Sequence, residues 1–227
     1  MNNQPMLFEK IKEKYGTYPK PMMVNLEVAK TMPFKTQTRR LDTKWKVGDV
    51  LWVREPAKVD ICFTEEFYFR YLSDDDEYKL FTMPIPNRLI KDGFVVDWMV
   101  HCNGIPNGCI KEMARTFLRV VDVREEFLQD ITEEDAIKEG VSLFSKDLSG
   151  SKQMYENYTR GKDKYEFLSN VYDQDRIKRD FVNMHGLGWL RHAVTSFATL
   201  WNSTAPKGKK WEDNPKVKVI TFEHIKI

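Results

Sequence analysis

The chain has 227 residues, 41% of them hydrophobic, and a formal net charge of +2 from 36 Lys and Arg against 34 Asp and Glu. This composition supplies a packed core and excludes a disordered chain. The near balance of charge excludes a global pull on nucleic acid, so any such binding must come from a local patch.

In chain order, Met1 to Lys14 alternate charge and form no apolar signal region. No run of the sequence reaches the length of a membrane span, so a cytoplasmic protein without membrane contact is expected. Phe8, Ile11 and Tyr15 fall at helical spacing and Gly16, Pro19 and Pro21 end that helix, with residues 1 to 20 reading as peripheral. Met22-Met23-Val24 reads as a short strand. Asn25 is placed to cap a helix through Leu26, Val28, Ala29 and Met32, which Pro33 closes. Lys35-Thr36-Gln37-Thr38-Arg39-Arg40 follows, with no apolar side chain. Each of those groups needs a partner if buried, so the run is expected as a polar loop between regular elements, where scaffolds commonly present chemistry.

Gly48-Asp49 signals a turn, and Val50 to Val53 reads as a strand that Pro56 ends. Residues 58 to 72 alternate Phe63, Phe67, Phe69 and Tyr71 with polar groups and read as a strand or hairpin arm. Asp74-Asp75-Asp76-Glu77 is an acidic turn without the glycine and closing glutamate of a calcium loop. Residues 81 to 110 give no clear element. Cys62, Cys102 and Cys109 lack short paired spacing, which argues against a disulfide framework. His101, Cys102 and Cys109 lack zinc-ligand spacing, so neither metal nor cofactor is expected.

Thr116 to Val123 is a clear strand. Thr132 is placed to cap a short helix, Glu133 to Glu139, stopped by Gly140. Residues 142 to 186 read as an insertion with a helix near Lys164 to Tyr172. Its tyrosines Tyr155, Tyr158, Tyr165 and Tyr172 offer either a partner surface or a family decoration. Leu190, Val194, Phe197 and Trp201 form a helical stripe, and Val217 to Ile225 forms a last strand. Short strands without regular βαβ alternation point to an α+β fold built on a small mixed barrel.

Four ordered blocks carry a resemblance. Lys35 to Arg40 with Val47 to Glu55, Ala114-Arg115 before its strand, Leu128 to Val141, and Phe197 to Trp201 with Trp211, Asn214-Pro215 and Val217 to Phe222 together resemble the ASCH family, nearest its bacteriophage and prophage branch. The resemblance covers both ends and the centre, but not residues 57 to 110 or 142 to 186. It implies one PUA-like mixed β-barrel with flanking helices over 1–227, its core at about 21–141 and 187–227. The family usually has glycine just before the lysine; here Met32-Pro33-Phe34 precede Lys35.

Lys35 and Thr38 are close enough in sequence for a turn to join ammonium and hydroxyl. A desolvated lysine loses its proton more readily and can then activate a hydroxyl. Members of the family that hydrolyse N4-acetylcytidine are similar at Lys35, Thr38 and Glu139. The resemblance implies Lys35 as base, Thr38 as nucleophile and Glu139 as the group that handles the leaving-amine proton. Thr36, Gln37, Arg39, Arg40, Arg54 and Arg115 are the expected substrate contacts. The alternative is an RNA- or modified-base-binding module without turnover. In that reading the arginines meet phosphate or base edges, aided by Lys207, Lys209, Lys210, Lys216 and Lys218, while Trp52 is better read as core than as a stacking platform. A phage accessory protein without catalysis is a third class.

Overall fold

The structure, a computed structural model, describes residues 4–63, 65–74, 79–91, 93–96, 105, 108–146, 153–156, 158, 189–190 and 192–226. The strands are β1 (Lys20–Met23), β2 (Gln37–Arg40), β3 (Val50–Arg54), β4 (Ala57–Cys62), β5 (Glu66–Tyr71), β6 (Phe81–Pro84), β7 (Ile90–Lys91), β8 (Phe94–Val95), β9 (Phe117–Phe127), β10 (Leu143–Lys146), β11 (Gln153–Glu156), β12 (Trp189–Leu190) and β13 (Lys216–His224). The helices are α1 (Gln4–Tyr15), α2 (Leu26–Thr31), α3 (Glu133–Lys138) and α4 (Ala193–Thr204), with single 3-10 turns between. The fold is mixed α+β with several sheets and few helices. No closed barrel forms among the described strands, and no described helix is long and apolar enough to cross a membrane.

The chain forms two compact units. The first comprises Met1–Pro33, Trp45–Val121 and Phe222–Ile227. Its main sheet runs β1-β3-β9-β13, with β1 parallel to β3 and β3 antiparallel to β9. A second sheet, β4-β5-β6, is antiparallel. Period-two patterning explains β5: Phe67, Phe69 and Tyr71 point into the core, while Tyr68 and Arg70 stay partly exposed. The Phe69 ring stacks on Phe81 at 5.6 Å and meets Tyr71 edge-on at 5.5 Å. The N-terminal segment is not peripheral. Ile11 on α1 is 1% exposed and belongs to the core cluster with Val50, Trp52 and Phe117. Trp52 is core, as its strand position implies.

Gly108 shows how tightly this core closes. Its φ is +81°, and a Cβ there would lie 2.8 Å from the Arg54 carbonyl oxygen and 2.9 Å from that of Glu55. Both contacts are backbone, so neither can move away cheaply. Gly108→Ala is expected to cost about 2 kcal/mol or more, a melting temperature lower by roughly 4–8 °C. A melt within about 1 °C of native would show that the turn is soft.

The second unit comprises Phe34–Lys44 and Asp122–Thr221. Here β9, β13 and β2 are neighbours in that order, with Thr38 opposite Ile220 and Arg40 opposite Lys218 in the antiparallel β13–β2 pair. β10, β11 and β12 make a small antiparallel sheet. α3 begins at Thr132, whose hydroxyl accepts from Asp135 N at 3.1 Å. Distant side chains hold both ends of α4. Glu133 Oε2 accepts from Ala193 N at 2.7 Å, and Lys210 Nζ donates to the Asn202 and Ala205 carbonyls at 2.8 and 2.5 Å.

α4 departs from the predicted stripe, because burial runs unbroken from Thr195 to Leu200. Its polar residues are buried with partners: Ser196 Oγ donates to Glu156 O at 2.6 Å, and Thr199 Oγ1 accepts from Tyr158 N at 3.0 Å. Tyr155 and Tyr158 are themselves buried, so they pack within the unit and are not surface. Tyr165, Tyr172, the helix expected near Lys164, His101, Cys102 and residues 75–77 of the acidic turn lie outside the described residues.

Candidate functional site

The run Lys35 to Arg40 is not a solvated loop. Gln37 to Arg40 form β2, and Lys35, Gln37, Thr38 and Arg39 are buried. Burial of so many polar groups needs partners, and the second unit supplies them. Gln37 and Arg39 lie two apart on one face of β2 and both meet Asp135, while Lys35, just before the strand, shares Glu139 with Arg39.

Lys35 is 2% exposed and Glu139 is 3% exposed. Lys35 Nζ donates to Glu139 Oε2 at 2.8 Å and also to the Glu139 backbone carbonyl. Glu139 caps the C-terminus of α3, where carbonyls have no helical partner and a cation is favoured. Thr36 N donates to the Lys138 carbonyl at 3.0 Å, so residues 35 and 36 together dock on that helix end.

The Arg39 side chain is 0% exposed. Its Nη1 donates to Glu139 Oε1 at 3.1 Å, its Nη2 to Asp135 Oδ2 at 3.2 Å, and its Nε to Glu126 Oε1 at 3.0 Å. The guanidinium also stands 5.8 Å from the Phe197 ring centre. Arg124 adds a second fork, Nε to Glu126 Oε2 at 3.2 Å and Nη2 to Asp135 Oδ2 at 3.0 Å. With its amide turned to satisfy both ends, Gln37 donates to Asp135 Oδ1 at 3.1 Å and accepts from Arg124. The result is a closed polar lattice in which each carboxylate meets at least one cation.

Electrostatics single out Lys35. Burial pulls its ammonium below the ordinary lysine value of 10.5, the attraction and hydrogen bond of Glu139 oppose this, and the charges of Arg40 and Arg39 lower it further. Arg40 is half-buried. Desolvation lowers its guanidinium and Glu139 pulls it back, so Arg40 lies in the field of the same carboxylate. Thr38 is buried on β2, one residue from Arg39 and opposite Ile220 on β13.

The chain has no match among family models, curated proteins or solved structures. The chain does carry the four ordered sequence blocks described above. Several of those blocks meet in the second unit. Lys35 to Arg39 lie on Glu139, Leu128 N donates to Pro215 O at 3.0 Å, and Gln129 N donates to Asn214 Oδ1 at 2.9 Å.

Arg54 and Arg115 belong to the first unit. Arg115 donates to Glu55 Oε2 at 2.7 Å and to Asp74 Oδ1 at 2.6 Å, and its guanidinium lies 3.7 Å from the Tyr71 ring centre. Burial acts to lower its proton affinity, but the Glu55 and Asp74 hydrogen bonds prevail and raise it above the ordinary value. Arg54 Nε donates to the Cys109 carbonyl at 3.3 Å, and its guanidinium stands 5.6 Å from the Trp52 ring centre. Burial raises the Cys109 thiol to about 12, so it stays a thiol at neutral pH. In the basic tail, Lys210 caps α4, Lys216 pairs with Glu125 at 2.9 Å and Lys218 donates to the Thr43 carbonyl at 3.0 Å.

Three residues of the lattice went unnoticed in the sequence: Arg124, Glu126 and Asp135. Their signal was faint but physical. Asp135 and Glu139 are four apart and so share one face of a helix, matching the alternate polar positions 37 and 39. Among the described residues, no group of His, Cys, Asp or Glu is arranged to hold a metal ion.

Proposed function

We propose that the chain hydrolyses the acyl-amide bond of an N4-acylated cytidine or a related modified pyrimidine nucleoside inside the cell. It would do so as an ASCH-family protein whose mixed sheet belongs to a PUA-like barrel. The observation that carries this reading is Lys35, an amine buried to 2% exposure with depressed proton affinity and bonded to Glu139. A surface lysine has no such bias toward its neutral form.

A neutral Lys35 amine donates its two N–H groups to Glu139 and keeps one lone pair. That lone pair takes the Thr38 hydroxyl proton as Oγ1 attacks the acyl carbon. Collapse of the tetrahedral intermediate breaks the C–N bond and frees the 4-amino group of cytidine. The proton held on Lys35 passes to that leaving nitrogen, with Glu139 placed by its hydrogen bond to relay it. Water then cleaves the acyl-threonine ester, giving the carboxylic acid and free Thr38. Arg40 and Thr36, both half-buried beside Lys35, are the substrate-facing groups of the run.

The test is cytidine release from N4-acetylcytidine and a panel of longer N4-acyl homologues. Thr38→Ala is expected to abolish release, and Thr38→Ser to retain a measurable part of it. Native protein that is folded but releases no cytidine from any member of the panel contradicts the reading. A second reading is base or RNA binding without turnover, favoured by one feature: Arg40 is a half-buried guanidinium at the end of β2 beside the site. It predicts salt-dependent RNA binding and no product.

A further inference from the structure

The polar run meets solvent at alternate residues. Lys35, Gln37 and Arg39 are buried and held by carboxylates, whereas Thr36 and Arg40 are half-buried. Thr38 shares a face of β2 with Arg40, opposite Ile220 and Lys218 of β13. Phe34 falls at the same two-residue spacing ahead of Thr36 and belongs to the same unit. It is 80% exposed, the most exposed large apolar side chain among the described residues. Lys35, the next residue, is 2% exposed. The two side chains part at this step, the amine going inward to Glu139 and the ring outward to water.

Two anchors fix the backbone beside the ring. Lys35 Nζ is held by Glu139 at 2.8 Å, and Thr36 N donates to the Lys138 carbonyl at 3.0 Å. Successive Cα atoms lie about 3.8 Å apart, so the ring is tethered one residue from the buried amine. A phenyl ring left in water forgoes the gain of burying its apolar area. A flat base offers a π-face that can cover such a ring, and aromatic side chains serve as stacking platforms for unpaired bases.

We propose that Phe34 is the stacking platform for the pyrimidine base of the substrate, with the base on its ring and the N4-acyl group reaching inward toward Thr38 and Lys35. The inference rests on the hydrolase reading for the identity of the ligand. It makes Phe34 a specificity residue, which selects a flat base over an aliphatic amide and acts on KM, not on the chemical step.

The test is calorimetric titration of N4-acetylcytidine into Thr38→Ala protein, where the ligand is not consumed, with Phe34 native or changed to Ala, Leu or Trp. Phe34→Ala is expected to weaken binding about 10-fold, the size of one lost base stack. Phe34→Leu, which keeps apolar area without a flat face, is expected to weaken it similarly, and Phe34→Trp to retain it. With Thr38 intact, Phe34→Ala should raise KM by the same factor and leave kcat within about 3-fold, while the melting temperature of this exposed position moves by under about 1 °C. The proposal is overturned if N4-acetylcytidine does not bind, if Phe34→Ala binds within about 2-fold of Phe34, or if Phe34→Leu binds as well as Phe34. Binding that needs Phe34 without cytidine release from native protein contradicts the hydrolase reading alone. Release with a KM that Phe34→Ala does not move contradicts the platform alone.

Discussion

Replacing Arg39 with alanine is expected to destabilise the protein by about 3–5 kcal/mol, because it strips a fully buried cation from the buried Glu139 and the half-buried Glu126 and Asp135. Glu126, Asp135 and Glu139 all accept from this one guanidinium. For a chain of this size that corresponds to a melting temperature lower by roughly 10 °C. Arg39→Lys is expected to recover less than half of the loss, since a point charge cannot reach three carboxylates that a planar fork spans. Arg124 is the control. It touches Glu126 and Asp135 too, but its side chain is 40% exposed, so Arg124→Ala should cost under about 1 kcal/mol with water taking its place. Thermal melts of the three variants decide the matter. Equal small losses for Arg39→Ala and Arg124→Ala would mean that the lattice does not hold the second unit together.

The second large effect concerns Lys35. Lys35→Ala is expected to lower turnover by about 10²–10⁴-fold, the usual contribution of a positioned base, while circular dichroism still reports folded protein. In the native protein kcat/KM should rise with pH through an inflection below 10.5, because only the neutral amine acts and burial lowers its proton affinity. Stability follows the same group. Folded Lys35 binds its proton more weakly than unfolded Lys35, so between the depressed value and 10.5 the unfolded chain carries more protons. Stability from this group therefore rises with pH across that window, and the cost of burying the ammonium is fully present below it. Native protein should gain melting temperature relative to Lys35→Met as pH rises through the window. An inflection at or above 10.5 would show that the lysine is an ordinary partnered ammonium.

Local signals in the sequence translated well into structure. Asn25 accepts from Val28 N at 2.8 Å and Thr132 from Asp135 N at 3.1 Å, both caps spanning three residues. The alternation of Phe67, Phe69 and Tyr71 likewise becomes one buried strand face. The polar run 35 to 40 was legible as a place of interest but not as a buried strand. Its partners lie 87 to 104 residues away, and nothing local reveals that they neutralise it. Arg54 and Arg115 illustrate the same limit. As residue types they suggest a groove for phosphate, but Arg115 is engaged by Glu55 and Asp74, 60 and 41 residues distant. Ile11 appeared marginal because a short charged helix looks solvated, yet one face of α1 covers the first core.

The most direct measurement of the central claim is intact-mass spectrometry of protein quenched during turnover of N4-acetylcytidine, followed by peptide mapping. The expected result is one acetyl group on the Thr38 hydroxyl of the native protein, absent from Thr38→Ala and from Lys35→Ala. Cytidine released with no acetyl group on the protein, and equally fast by Thr38→Ala, would contradict nucleophilic catalysis at this site.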